Sequence, residues 1–195
     1  MILSKEDLKY YLQEDKRALG KLKNKNPRLF RDDIWRFQII LRKHEYYSNI
    51  NSTIKSKLFK KIYSVLHTRK GLKLGFSIPI NVFGPGLRIN HYGLLVVNKN
   101  AKIGSNCDIH QGVNIGQNIH EGEVPTIGDN VWIGPGAKIF GKISIAKGIA
   151  VGANSVVNKS FVEENITIAG SPAKKIKCSG TNEMETAANI KYNVM

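Results

Sequence analysis

The chain has 195 residues, 42% of them hydrophobic, and carries 30 Lys and Arg against 15 Asp and Glu for a net charge of +15. That length suits one ordinary domain with a modest extension, and no apolar run is long enough for a membrane-spanning helix. The opening MILSKEDLKYYL puts Glu6 and Asp7 where a secretory leader would be apolar, so a cytoplasmic location is expected.

The charge is concentrated in the first third: residues 1–75 hold 19 Lys and Arg against 7 Asp and Glu, and residues 76–195 hold 11 against 8. A surface of that kind suits nucleic acid, a membrane face or an anionic small molecule or polymer, or is simply a solvated helical exterior. No recognition helix or aromatic-interleaved basic motif accompanies it, so no specific nucleic acid partner is expected. Cys107 and Cys178 are expected to be free thiols in a reducing compartment.

In chain order, residues 1–75 read as a basic α-helical region. Ser4 and Asp7 form a capping-box pattern that opens a helix running to about Ala18, before Gly20. KLKNKN is a polar linker. After Pro27, Leu29, Phe30, Ile34, Phe37, Ile40 and Leu41 recur near helical spacing and predict a second helix. Asn51 or Ser52 is placed to cap a third, with Ile54, Leu58, Ile62 and Val65 on one stripe. His44 and His67 fall within these helices and read as packing or surface residues.

Residues 76–177 have a different texture. Counting in sixes from Val97 meets Ile103, Ile109, Ile115, Ile127, Ile133, Ile139, Ile145, Val151 and Val157, and only Glu121 breaks the series. Glycine follows the aliphatic at 104, 116, 128, 134 and 152, and a small or apolar residue usually stands four after it, as at Ala101, Cys107, Val113, Ile119 and Ser155. Neither a helical nor an alternating-strand period explains a spacing of six. It fits a coil of short parallel strands in which one aliphatic per face points inward and stacks on its equivalent in the next coil, with Gly and Asn at the corners.

Two breaks in the rhythm mark where function is expected on so rigid a scaffold. Ile89 precedes Val97 by eight residues rather than six, and the misfit contains Asn90-His91-Tyr92-Gly93. The polar stretch QNIHEGEVPT, from Gln117 to Thr126, is expected to bulge out as a loop. Residues 178–195 lack the repeat and are expected to form a polar, disordered tail.

The repeat, with INHYGLLVV, DIHQGVNIG, VPTIGDNVWIGPGAKIFGKI, VGANSVV and AGSPAKKIK in that order, resembles the hexapeptide repeat of left-handed β-helix acyltransferases over roughly residues 77–177. Within them it is similar to the serine O-acetyltransferase branch, which includes enzymes acetylating sugars of capsules and exopolysaccharides. The resemblance implies a mainly β fold, a left-handed parallel β-helix behind a short helical region, assembled as a homotrimer. It implies direct transfer of acetyl from acetyl-CoA to a hydroxyl, with His91 as general base. Asn90, His110 and His120 are the candidate acceptor contacts. Gly134, Gly152 and Ala153 would border the pantetheine arm, with Lys159 and Lys174 or Lys175 meeting CoA phosphates.

Where serine enzymes of this branch carry Asp before the base, Asp fifteen residues upstream and a second His after the loop, this chain has Asn90, Phe76 and Val124. A sugar of a surface polysaccharide is therefore the favoured acceptor and L-serine the alternative. No metal is expected, although the zinc-dependent hydratases of the same fold make a set from His91, His110 and His120 a remote further alternative.

Overall fold

The computed structural model describes residues 1–50, 53–187 and 189. Three helices, α1 (Lys5–Ala18), α2 (Asp33–Asn49) and α3 (Ile54–Leu74), precede the coil. Ser4 caps α1 as its sequence predicts: its hydroxyl accepts from the Asp7 amide, and the Asp7 carboxylate accepts from the Ser4 amide. Leu29 and Phe30 lie outside α2 and are exposed, because Asp32 starts the helix after them. Thr53 caps α3 by a reciprocal bond with Ser56; Asn51 and Ser52, the caps expected, lie outside the described residues.

The strands are short and form three flat faces of a left-handed parallel β-helix. The first face holds β1 (Phe76–Ser77), β3 (Leu95–Val97), β6 (Asn114–Gly116), β9 (Lys138–Phe140) and β12 (Val156–Val157). The second holds β4 (Lys102–Ile103), β7 (Thr126–Ile127) and β10 (Ser144–Ile145). The third holds β2 (Arg88–Ile89), β5 (Asp108–Ile109), β8 (Trp132–Ile133), β11 (Ala150–Val151) and β13 (Thr167–Gly170), closed by antiparallel β14 (Ala173–Lys177).

Register explains the period. Val96 pairs with Asn114 and Lys138 with Val156, so eighteen residues, three hexads, make one coil. Arg88 pairs with Asp108, two residues more, and Asn114 with Lys138, six more. Both excesses fall where the sequence breaks rhythm, at Asn90–Gly93 and at the exposed segment around Glu121. Ile119, in phase with the inward series, is carried out to solvent on that segment.

Ile89, Ile109, Ile133, Val151 and Ile168 stack on the third face, each at most 1% exposed, and burying such side chains contributes roughly 1.5–3 kcal/mol apiece. The glycines after the inward aliphatics serve close packing rather than positive φ: a Cβ at Gly128 would stand 2.8 Å from the Lys147 amide nitrogen of the next coil. The left-handed corner positions fall instead to residues such as Asn106 and Asn130, whose side chains bond each other.

The helices cap the first coil. Phe37 and Leu41 of α2 enter the coil's own apolar core, and Gln38 donates to the Leu87 carbonyl. Arg42, fully buried, pairs with Asp15 and Glu45 and donates to the carbonyls of Phe83 and Gly84. One guanidinium thus ties α1, α2 and the first coil together. The aliphatic stripe Ile54, Leu58, Ile62 and Val65 of α3 faces solvent; the contact with α2 is made by the opposite side, where half-buried Phe59 and Tyr63 stack on Tyr47.

The tail is not disordered up to Ala187. Thr181 donates to the Asn130 carbonyl, the Ala187 amide donates to Asp108, and the Ala187 carbonyl accepts from Arg17. Polar composition suggested disorder, but the Thr181 hydroxyl and the Ala187 amide find partners on the coil, and the Ala187 carbonyl finds one on α1.

Candidate functional site

The two extra residues after β2 swell the corner between the third and first faces, and this places His91 at the surface with its ring exposed. One coil further, His110 follows β5 on the same corner, its ring centroid 6.2 Å from that of His91. The His110 ring packs edge-on against Trp132, 5.1 Å between centroids. Burial, then the nearby charges of His91 and Arg88, hold the His110 pKa below its usual value, so its ring is neutral at physiological pH.

Beneath them lies Asp108, 1% exposed. It accepts from the Asn90 side-chain Nδ2, lies 3.4 Å from Arg88 Nη1 and 3.8 Å from His110 Nε2, and accepts from the Ala187 backbone amide. Burial pushes its pKa up, while Arg88 and Asn90 pull against that rise. Asn90 therefore braces the corner from within, and Asp108 is the hub. Sequence reasoning passed over Asp108, Arg88 and Trp132. The available signal was Asp108 itself, an acid on the outward side of a strand, at the position that the next-coil pairing sets against Arg88.

A cleft of about 350 Å³ opens beside His91, lined by Arg31, Asp32 and Trp35 from the helical region and by Asn90, His91 and Tyr92 from the corner. Lys21 and Arg28 hold Asp32 as a carboxylate, its pKa lowered to about 2 by bonds from the Lys21 side chain and the Arg28 amide. The helices thus form one wall and the swollen corner the other.

The same corner carries the small residues farther along. The amides of Asn90, His110, Gly134 and Gly152 donate in turn to Ile109, Ile133, Val151 and Ile168, so these residues occupy successive rungs. Ala153 is exposed beside Gly152, and Lys174 lies opposite Ala169 on the last rung. A Cβ at Gly134 would meet the Ala153 amide nitrogen at 2.8 Å, so coil packing alone already requires glycine there. Lys175 pairs with Glu163.

Two candidates stand apart within one chain. His120 lies on the exposed loop between β6 and β7, and Lys159 follows β12 with its ammonium 5.5 Å from the Phe161 ring. Both belong to the corner between the first and second faces. His120 accordingly does not join His91 and His110, and among the described residues no three His, Cys, Asp or Glu side chains are grouped to hold a metal ion. Cys107 and Cys178 are free.

No family model matches the chain. It is 36% identical over 99 residues to a serine acetyltransferase of Synechococcus elongatus, covering 50% of this chain and 40% of that protein. It is 40% identical over 99 residues to one of Staphylococcus xylosus, covering 50% and 45%. The chain thus spans less than half the length of these curated relatives. Among solved structures, serine acetyltransferase from Brucella abortus superposes with a TM-score of 0.70 at 28% identity, over 90% of this chain and 71% of that one, and has also been solved with coenzyme A. Soybean serine acetyltransferase complexed with serine gives 0.65 at 26%, over 88% and 70%. In sequence and in fold the chain is similar to the serine acetyltransferase branch of hexapeptide-repeat acyltransferases.

Proposed function

We propose that this chain is an acetyl-CoA-dependent O-acetyltransferase with His91 as its general base. The observation that carries the reading is the single corner on which an exposed imidazole, beside a cleft, continues into a run of small residues. His91 takes the proton of an acceptor hydroxyl as its oxygen attacks the thioester carbon. The tetrahedral intermediate collapses, the C–S bond breaks, and the imidazolium returns the proton to the departing CoA thiolate. Products are the acetyl ester and free CoA. Such a base supplies roughly 10²–10⁴-fold in rate. Neutral His110 stands beside it as an acceptor contact, and Asp108 fixes the corner through Asn90.

For the donor, the rungs from Gly134 to Gly152 and Ala153 form the pantetheine track, and Lys174 at its end meets a CoA phosphate. A homotrimer is what the resemblance to hexapeptide-repeat acyltransferases implies, and in such an assembly His120 and Lys159 would approach the site from a neighbouring protomer. A cytoplasmic location supplies the donor.

L-Serine is the acceptor that the names of the relatives favour. A hydroxyl of a surface glycan is the second reading, favoured by three positions. Phe76, where a serine enzyme would carry its orienting Asp, is buried with its ring 5.1 Å from that of Phe37. Asn90 is engaged by Asp108, and Val124 offers no imidazole. CoA release measured over a panel of L-serine, nucleotide sugars and anionic oligosaccharides distinguishes the two. Turnover with none of them, and no CoA binding, contradicts the proposal as a whole.

A further inference from the structure

We infer that the outward face of α3 docks on an anionic lipid surface. α3 is fastened by its inner side, through the Tyr47–Phe59–Tyr63 stack and the Lys70–Asp33 ion pair. Its outer side presents Ile54 (88% exposed), Leu58 (56%), Ile62 (42%), Val65 (54%) and Leu66 (41%), a stripe at helical spacing left exposed among the described residues.

Charge identifies what the stripe fits. The 21-residue helix contains no Asp or Glu. With Lys70 paired, Lys55, Lys57, Lys60, Lys61, Arg69 and Lys73 remain along it. Lys57, Lys60, Lys61, Ser64 and Val65 also line a shallow groove beside the stripe, which gathers three ammonium groups there. A second copy would bring two acid-free, cationic helices into contact, and their repulsion opposes that pairing. An interfacial helix places its apolar face at the acyl boundary and its cations among anionic headgroups, which is the arrangement α3 offers. No described helix is long and apolar enough to cross a membrane, so the contact is peripheral. This inference does not depend on acetyl transfer.

The test is co-sedimentation of the full chain with phosphatidylcholine vesicles, with and without phosphatidylglycerol. Binding is expected only with the anionic lipid, and weakens as salt rises. The double variant Leu58→Glu, Ile62→Glu, with an unchanged circular dichroism spectrum, should partition at least about tenfold more weakly. Absence of binding to anionic vesicles, or equal binding by the double variant, overturns the inference. So does a change in the lipid-free assembly state of the double variant, which would assign the stripe to a second copy.

Discussion

His91 and Asp108 differ in setting on one corner: the first is exposed beside the cleft, the second is buried and bonded to Asn90 and Ala187. Asp108→Asn keeps the shape but removes the charge that Arg88 and Asn90 answer. The account predicts a fall in kcat of about ten- to a hundredfold, with the KM for acetyl-CoA unchanged, because the donor rungs are untouched. Steady-state kinetics in both substrates would check this split. His91 was legible in the sequence because the hexad count stumbles there. Asp108 was not, because the coil that sets it beneath Asn90 is a tertiary fact, with twenty residues separating Arg88 from its partner.

A second residue-scale prediction concerns His67. Desolvation, then the neighbouring His44, lowers its pKa to about 4, against an opposing bond to the Ile78 backbone. The unfolded ring titrates near 6.5. Between those values the unfolded chain binds more protons, so this contribution is complete above pH 6.5 and is lost as pH falls toward 4. The loss is on the order of 2–3 kcal/mol. Urea midpoints at pH 7.5 and 5 should differ less in His67→Phe than in the wild type.

At the scale of elements, packing decides what pattern leaves open. The capping box of α1 and the inward aliphatics were readable because each is a local rule. The stripe on α3 was equally readable as a stripe, yet its direction was not. Half-buried Phe59 and Tyr63 on the other side take the contact with α2 by stacking on Tyr47, and Leu74 is buried at the helix end. The tail also escaped the sequence, since Thr181 and Ala187 gain their partners from distant coils.

Two substitutions probe the elements. Arg42→Met strands the Asp15 and Glu45 carboxylates in the interior, and chemical denaturation should show a loss of about 3–5 kcal/mol. The Glu45 pKa is already raised by burial even with Arg42 in place. Gly128→Val forces a side chain against the next coil's backbone at 2.8 Å, and thermal melting should report destabilisation of about 1–3 kcal/mol or more.

For the whole molecule, the solenoid supplies rigidity and the helical region supplies the second wall of the cleft. Splitting the candidate residues between two corners has a consequence for assembly. If His120 and Lys159 serve the site, they do so across a protomer boundary, and light scattering should give three times the chain mass. A monomer that nonetheless turns over acetyl-CoA would remove both residues from the site.

The most direct measurement is acetyl-CoA turnover by His91→Ala on whichever acceptor the panel identifies, alongside circular dichroism and mass determination. The account predicts at least about a hundredfold lower kcat with fold and assembly unchanged, and His110→Ala should fall less. Undiminished turnover in the His91 variant would contradict it.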